Sequence, residues 1–235
     1  MIDRSKIVAL IPAFNEEKSI GLIVREVVNL GLKTYVVDDG STDQTKAMAQ
    51  KYGACVIQNE VNEGKGASLI CGLKTLLDRT DFEFVIFLDA DGQHDPKSIP
   101  SFIDAAKCSN ADVIIGNRMH NPANMPWDRL WTNRVTSWIV SKVIGQSIPD
   151  CQCGYRLIKR SVVEKVRLST QRYDIECDII IQAVKEGFSI KAVPVDSIYR
   201  QEKSHIQPIR DTFLFVKLII RALFQRKNLF QRKDK

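Results

Sequence analysis

Long apolar runs, histidine clusters and paired cysteines are scarce in this sequence of 235 residues. The N-terminal stretch MIDRSKIVALIPAFNEE has neither the apolar core nor the small-residue cleavage site of a signal peptide. The three histidines are scattered, and among the six cysteines only Cys151 and Cys153 are close, as C-x-C. This spacing fits neither a usual zinc site nor a redox dithiol. We therefore expect reduced, structural cysteines and a cytosolic protein.

Positive charge is concentrated at one end of the chain. Residues 200–235 contain ten Lys or Arg and three Asp or Glu, so this segment has a net charge of +7 and the rest of the chain −1. That distribution argues against a nucleic-acid-binding protein with a broad basic face. It predicts instead a local anionic partner for the C-terminal segment.

Common phosphate-binding motifs are missing as well. The segment NEGKGAS (62–68) is not a Walker loop, because Asn59 occupies the position of the first glycine and Lys65 is followed by Gly66. It also contains no G-x-G-x-x-G. Two interpretations remain: a helix entry with a solvated lysine, or a lysine and helix N-terminus beside a diphosphate.

The chain does contain a regular alternation of strand and helix patterns up to residue 120. Strand patterns separated by helical ones occupy 6–12, 34–40, 54–59, 82–91 and 112–118. This rhythm predicts an α/β fold with a mostly parallel sheet covered by helices on both faces. Beyond residue 120, we expect helices over 127–144, 174–187 and from about 208, and strands within 153–160 and 190–199.

Polar clusters follow four of the predicted strands, at 12–17, 38–39, 89–91 and 117–118. Because ligands of parallel sheets bind at the carboxyl ends of the strands, we expect one active edge there. Asp89 and Asp91 leave a buried strand one residue apart, so their charges repel and a cation is expected between them. With Gln93 they offer hard oxygen ligands for Mg²⁺ or Mn²⁺.

Two other interpretations of DADGQHDP (89–96) are possible. It could be a solvated turn, with Asp91 and Gly92 as turn residues and Asp95 as a helix cap. It also resembles the D-x-D-G-[TV] motif of haloacid-dehalogenase-type phosphatases, in which Asp89 would be the nucleophile. That match fails at Gln93, and three strand–helix units precede a motif that normally follows the first strand.

Taken together, PAFNEE (12–17), VVDDGSTDQT (36–45), NEGKGASL (62–69) and LDADGQHDP (88–96) resemble the GT-A glycosyltransferases of family 2. Later segments are similar to the polyprenyl-phosphate (dolichyl-phosphate) mannosyl- and glucosyltransferase branch: GNR (116–118), DCQCGYRLIKR (150–160) and YRQEKSHIQP (199–208). The resemblance implies a GT-A domain over 1–207, followed by a basic amphipathic helix and tail over 208–235.

The resemblance also implies roles for individual residues. Metal ligation would fall to Asp89, Asp91 and Gln93, with Mg²⁺ or Mn²⁺ as cofactor, and catalytic roles to Asp91, Asp150 and Arg118. The implied substrate-binding residues contact the nucleotide, its diphosphate or the acceptor: Pro12, Phe14, Glu16, Asp39, Lys65, Asp89, Ala90, Asp91, Arg118, Arg134, Arg200 and Lys203. The loop QEKSH (201–205) departs from the mannosyltransferase pattern, so mannose itself is not implied.

The implied reaction is inverting, metal-dependent transfer of a hexose from a nucleotide-diphosphate sugar of the GDP-mannose or UDP-glucose type. If the acceptor is polyprenyl phosphate, its oxygen is already ionised and needs no base. If it is a glycan or small-molecule hydroxyl, Asp150 is the candidate base, although an Arg-pairing role fits Asp150 equally well. The alternative of a non-catalytic nucleotide-binding or scaffold subunit would require that Asp39, Asp89 and Asp91 have no role in catalysis.

The C-terminal segment IRDTFLFVKLIIRALFQRKNLFQRK is amphipathic and basic. Its apolar stretch from Phe213 to Phe224 contains Lys217 and Arg221 and is shorter than the roughly 20 residues that span a bilayer. We expect this helix to lie on an anionic membrane surface or to pack against the domain or a membrane partner subunit. The predicted location is therefore peripheral, on the cytosolic face of a membrane.

Overall fold

The computed structural model describes residues 3–123, 125–168, 175–196 and 214–223. Seven strands form its sheet: β1 (Ile7–Ala13), β2 (Lys33–Asp38), β3 (Cys55–Gln58), β4 (Phe84–Phe87), β5 (Val113–Asn117), β6 (Arg156–Lys159) and β7 (Ile190–Pro194). The helices named in order are α1 (Ile20–Asn29), α2 (Thr45–Lys51), α3 (Lys65–Arg79), α4 (Ile99–Ser109), α5 (Trp127–Ile144), α6 (Arg160–Lys165) and α7 (Ile175–Lys185). Residues 214–223 are also helical.

The sheet is mixed but mostly parallel, in the order β3-β2-β1-β4-β6-β5-β7. Only β6 runs against its neighbours, pairing antiparallel with both β4 and β5. This reversal brings the segment that precedes β6 to the edge where the parallel strands end. The predicted α/β fold class is therefore confirmed, and the reversed strand explains how residues 150–155 reach that edge.

Alternate residues of each strand face opposite sides of the sheet, which is the period of two expected of buried strands. In β1, Val8 and Leu10 pack in one core cluster, whereas Ile7, Ala9 and Ile11 pack in the other. Helices α1, α2 and α4 supply residues to the second cluster. Helices α3, α5, α6, α7 and the helix at 214–223 supply residues to the first. The two faces are thus covered as the alternation predicts.

Strand β4 ends earlier than the sequence pattern indicates. We expected Asp89 to lie on this strand, but β4 stops at Phe87. The backbone N–H of Asp89 donates to His94 Nδ1 at 3.1 Å, so it is directed into its own loop and not to a neighbouring strand. Asp89 and Asp91 therefore belong to a loop at the sheet edge, and their positions are not set by strand periodicity.

The other predicted elements lie close to their expected places. Asp95 caps the 3₁₀ turn Pro96–Ser98 through a hydrogen bond from the Lys97 N–H (2.9 Å), and this turn leads into α4. The predicted boundary between residues 207 and 208 lies outside the described residues. Among the described helices, none combines the length and apolar character needed to cross a bilayer.

Candidate active site

Two loops that follow β1 and β2 are tied together at the active edge. The N–H of Asn15 donates to Ser41 Oγ at 2.9 Å, and the N–H of Thr42 donates to Asn15 Oδ1 at 2.9 Å. Asn15 has a positive φ of 56°, which Asn tolerates better than most residues. The N–H of Glu16 donates to Thr45 Oγ1 at 2.7 Å. These bonds fix a rim on which the side chain of Phe14 is exposed.

Asp39 holds the loop that leads into α3. Its Oδ1 accepts hydrogen bonds from Asn59 Nδ2 (2.8 Å) and the Glu63 N–H (3.1 Å), and its Oδ2 accepts from the Gly64 N–H (2.8 Å). Gly64 has a φ of 98°, in the left-handed region that favours glycine. This buried carboxylate therefore positions the start of α3, whose first residue is Lys65.

Lys65 lies between two carboxylates at the N-terminus of α3. Its Nζ is 2.6 Å from Asp89 Oδ1 and 2.8 Å from Glu176 Oε1. Burial alone would lower the pKa of Lys65, but the two carboxylates raise it above its ordinary value. Burial also opposes the charge on Asp89, yet Lys65 lowers the pKa of that carboxyl to about 2. The cation beside Asp89 is therefore a lysine supplied by this chain.

Backbone from the DCQCGYR segment closes over this ion pair. A Cβ atom added to Gly154 would lie 2.9 Å from Lys65 Nζ and 3.1 Å from Asp89 Oδ2. A side chain at this position would displace the Lys65 ammonium or press on the Asp89 carboxylate, so the absence of a Cβ atom lets this segment lie directly against the pair. The segment thus forms one wall of the site.

Glu176 is the residue that sequence reasoning missed. Its side chain is only 7% exposed, and within the described residues its Oε2 has no hydrogen-bond partner. A buried carboxylate oxygen without a partner is costly in a folded protein and is typical of functional sites. The available signal was an acidic first turn, with Glu176 and Asp178, in a helical pattern that is otherwise mostly apolar.

The first turn of α7 is anchored by a buried arginine. Arg156 is fully enclosed and donates to the backbone carbonyls of Cys153 (2.7 Å), Cys151 (2.7 Å) and Glu176. One guanidinium thereby ties the 151–153 loop to the residue that contacts Lys65. Arg156 positions the site without belonging to it.

Asp91 is the carboxylate of the pair that forms no salt bridge among the described residues, whereas Asp89 pairs with Lys65. Its Oδ1 accepts a hydrogen bond from the Gln93 N–H at 2.9 Å. Burial, and then the charge on Asp89, raise the pKa of Asp91 to about 6. A carboxylate in this state favours a nearby cation.

The oxygen-only donor set at this loop fits a hard divalent ion. The described residues contain no group of three or more His, Cys, Asp or Glu that could hold a metal by themselves. Mg²⁺ and similar ions are commonly bound by one or two carboxylates together with substrate phosphates. Asp91, with Asp89 and Gln93 nearby in sequence, is compatible with that mode.

His94 holds the loop that contains Asp89 and Asp91. Its Nδ1 accepts the Asp89 N–H, and its ring stacks on Tyr155 with centroids 4.9 Å apart. Burial lowers the pKa of His94 to about 4, so the ring is neutral at pH 7 and able to accept this bond. These contacts favour a structural role.

Arg118 is held by Asp150 in a bidentate pair. The guanidinium donates from Nε to Asp150 Oδ2 at 2.8 Å and from Nη2 to Oδ1 at 2.9 Å. Asp150 also accepts from the Arg118 backbone N–H at 3.0 Å and from Asn133 Nδ2 at 2.7 Å. Burial would raise the pKa of Asp150, but the bonds from Arg118 lower it below its ordinary value.

This geometry does not support Asp150 as a base. Its carboxylate is 0% exposed and both oxygens accept hydrogen bonds from Arg118 and Asn133. A group with a lowered pKa and no access to substrate is a poor proton acceptor. The Arg-pairing interpretation of Asp150 fits the structure better.

The structure brings together Asp39, Lys65, Asp89, Ala90, Asp91, Arg118 and Asp150 at this edge, with Pro12, Phe14 and Glu16 on the neighbouring rim. Arg134 is placed differently: it is exposed on α5, whereas its neighbour Asn133 is buried against Asp150. Arg200 and Lys203 lie outside the described residues. Their proposed phosphate contacts stay predictions.

The mostly parallel sheet and the carboxylates gathered at its edge fit a glycosyltransferase with the GT-A fold. The profile of glycosyl transferase family 2 matches residues 8–167. The chain belongs to glycosyl transferase family 2 and is a glycosyltransferase.

Similar proteins include members of the polyprenyl-phosphate branch. The chain is 31% identical to a polyprenol monophosphomannose synthase of Mycolicibacterium smegmatis over 206 residues, covering 82% of this chain and 77% of that protein. It is 29% identical to a UDP-N-acetylglucosamine–dolichyl-phosphate N-acetylglucosaminyltransferase of Methanococcus voltae over 215 residues, covering 82% of this chain and 85% of that protein.

Among solved structures, the fold is similar to glucosyl-3-phosphoglycerate synthase from Mycobacterium tuberculosis in complex with Mn²⁺, UDP-glucose and phosphoglyceric acid. The TM-score is 0.71 at 19% sequence identity, covering 94% of this chain and 79% of that chain. At this identity the likeness confirms the GT-A fold.

The raised pKa of Asp91 leads to a stability prediction. The folded protein holds this proton more tightly than the unfolded chain, so ionisation destabilises the fold as pH rises from about 4 to 6. We expect Asp91→Asn to raise the free energy of unfolding of the metal-free protein by about 1–2 kcal/mol at pH 7 and to change it little below pH 4. Urea denaturation in chelator measures this, with Asp78→Asn on the exposed side of α3 as control. An Asp91→Asn effect that is equal at both pH values would contradict the assignment.

The Arg118–Asp150 pair leads to a second prediction. Replacing Asp150 by Asn removes the buried carboxylate that the Arg118 guanidinium contacts through two nitrogens, so we expect the free energy of unfolding to fall by about 3 kcal/mol. Asp81→Asn removes an exposed partner of Lys6 and should change stability little. Equal denaturation midpoints for the two variants would show that the pairing does not operate in solution.

Proposed function

We propose that this glycosyltransferase moves one sugar from a nucleotide-diphosphate donor to polyprenyl phosphate, at the cytosolic face of a membrane and with a divalent cation. The observation that carries the choice of acceptor is the enclosed Asp150, which is occupied with Arg118. An acceptor that is already ionised needs no base, whereas a hydroxyl does. The two named relatives above act on polyprenol and dolichyl phosphate according to their names, which supports the same acceptor class.

Donor binding is proposed to use the edge from Phe14 to Asp91. The rim at 13–17 and the loop held by Asp39 would receive the nucleoside. Lys65, at the N-terminus of α3, would face the diphosphate, where an ammonium and a helix terminus both favour negative charge. The similar synthase structure contains UDP-glucose with Mn²⁺, which supports this class of donor.

Asp91, with Asp89 and Gln93, would hold the cation. When bound there, a divalent ion would neutralise negative charge that develops on the leaving diphosphate. Two side chains of the protein would do the rest. Lys65 would lie beside the diphosphate, and Arg118 would present its guanidinium to an acceptor phosphate. Because Asp150 holds that guanidinium and is itself held by Asn133, the acceptor oxygen can be oriented toward the anomeric carbon as the nucleoside diphosphate leaves.

A hydroxyl acceptor is the second candidate, and one observation favours it. Glu176 has a buried oxygen without a hydrogen-bond partner in the described part of the chain, whereas both oxygens of Asp150 accept hydrogen bonds, so Glu176 is the better candidate for a base. Its other oxygen contacts Lys65, which places it beside the donor site. In this case transfer would require Glu176 in its ionised form.

The donor is tested by thermal denaturation with UDP, GDP, CDP and dTDP, each with and without Mn²⁺. A ligand at a hundred times its Kd stabilises by roughly 2.7 kcal/mol, so we expect one nucleotide to raise the Tm by about 5 °C in the presence of Mn²⁺. Asp91→Ala should abolish this shift. Asp78→Ala serves as the matched control. No shift with any nucleotide would remove support for this donor site.

The acceptor is tested by transfer of labelled sugar to polyprenyl phosphate, with the corresponding free polyprenol as the matched acceptor. We expect lipid-extractable product with the phosphate and none with the alcohol. Arg118→Gln should lower the rate about 100-fold, by analogy with the loss of one charge-stabilising donor, while Arg79→Gln on the exposed end of α3 should not. Product formed with the alcohol but lost in Glu176→Gln would favour the hydroxyl reaction instead.

A further inference from the structure

Helix α5 exposes its largest apolar side chains to solvent. Trp127, Trp131, Val135 and Trp138 are 50–70% exposed, and they follow one another at intervals of four, four and three residues. That spacing places them on one face of the helix. The face contains all three tryptophans of the chain, and Trp127 packs edge-on against Trp131 with centroids 5.8 Å apart.

The opposite face of α5 is buried and partly polar. Asn133, Thr136 and Ser137 are buried there together with Leu130, Val140 and Val143. A soluble helix normally buries its aromatic residues and exposes its amides and hydroxyls. An outward tryptophan face therefore indicates an apolar environment outside the domain, because contiguous exposed apolar patches mark interaction sites.

The helix at 214–223 presents a similar outer face on the same side of the sheet. Its Leu218 and Ala222 are buried in the core cluster to which Val140 and Val143 of α5 also belong. Its outward residues Val216, Ile220 and Leu223 are 46–49% exposed. Both helices thus cover the same face of the sheet and expose apolar residues away from it.

Charge on these two helices is predominantly positive. Their charged residues are Asp128, Arg129, Arg134, Lys142, Lys217 and Arg221, a net of +4. Basic residues that alternate with tryptophan and aliphatic side chains are typical of helices lying in an anionic membrane interface. A symmetric dimer through the same faces would instead bring positive charges against positive charges.

We propose that the outer faces of α5 and residues 214–223 form a membrane-docking surface for a bilayer that carries anionic lipid. The docking surface is defined by Trp127, Trp131, Val135, Trp138, Val216, Ile220 and Leu223. The tryptophan rings enter the interface between headgroups and acyl chains, and the neighbouring arginines and lysines contact the headgroups. The biological reason for such a surface rests on the proposed function, namely access to a lipid acceptor. Its binding to lipid does not, because that binding needs no acceptor and can be measured alone.

The docking surface is directly connected to the site. Asn133, on the inner face of α5, donates to Asp150, which holds Arg118. Ser137, one turn further along, accepts the Cys151 N–H at 3.0 Å. A bilayer against the outer face would therefore lie one helix away from the arginine proposed to receive a lipid phosphate.

Intrinsic fluorescence tests the docking surface, because every tryptophan lies on it. The full-length protein is mixed with vesicles of phosphatidylcholine alone, or of phosphatidylcholine with an equal amount of phosphatidylglycerol, in the absence of nucleotide and acceptor. We expect a blue shift, quenching by brominated acyl chains and co-sedimentation with the anionic vesicles only. No spectral shift and no co-sedimentation with either vesicle would overturn the proposal.

Variants separate the docking surface from general adhesion. Trp131→Ser/Trp138→Ser should weaken binding to anionic vesicles about tenfold or more, and Lys217→Gln/Arg221→Gln about fivefold for each charge removed. Leu22→Ser, an exposed position on α1 across the sheet, should bind normally. Circular dichroism and nucleotide-induced thermal shifts establish that each variant is folded.

Two outcomes would contradict the docking surface. Undiminished vesicle binding by the double tryptophan variant would place the membrane contact elsewhere. A dimer in sedimentation analysis that dissociates in that variant, without vesicle binding by the wild type, would assign the face to a second copy of the chain. Neither outcome would contradict the proposed reaction, because that reaction is tested separately with a short-chain, water-soluble polyprenyl phosphate.

Discussion

The site depends on one electrostatic constraint. The carboxylates of Asp89, Asp91 and Glu176 lie together at one sheet edge, where burial disfavours their negative charge. Lys65 resolves part of this by contacting Asp89 and Glu176 at once. The remaining carboxylate, Asp91, has a pKa raised to about 6 by burial and by Asp89. Buried ion pairs stabilise a fold only when their partners are well placed. The loops at 59–64 and 150–154 supply that placement, one through Asp39 and the other through Gly154.

The antiparallel strand β6 is what makes the second wall possible. A parallel strand in its place would deliver its preceding segment to the opposite edge of the sheet. Because β6 is reversed, the turn before it reaches the ends of β4 and β5, and buried Arg156 then joins that turn to α7. Glu176 and Asp150 thereby reach the same edge as Asp89, although they lie far from it in sequence.

The fold was largely predictable because strand and helix patterns alternate clearly before residue 120, and because carboxyl ends of parallel strands share one edge. The end of β4 was not predictable, because it depends on the hydrogen bond from the Asp89 N–H to His94, which the hydrophobic periodicity of the sequence does not reveal. Glu176 was missed because an acidic residue in the first turn of a mostly apolar helix matches no local motif. The surroundings of Asp150 were not evident either, since its partners Asn133 and Arg118 come from other elements. Contacts between segments distant in sequence decided the positions of Glu176 and Asp150, whereas the end of β4 follows from a contact within its own loop.

Helix α5 shows why a hydrophobic pattern alone does not reveal which face of a helix is buried. Its aromatic stripe has the spacing of an ordinary core-facing helix, yet the stripe is exposed and Asn133 and Ser137 face inward. The inner positions are occupied by polar side chains because Asp150 and the Cys151 N–H require partners there, and an unpaired buried polar group is costly. Because these hydrogen bonds occupy the inner face of α5, the tryptophans lie on its outer face. The same helix thus orders the site on one side and presents an apolar surface on the other, so the position of the acceptor arginine and the orientation of the apolar face are set by a single element.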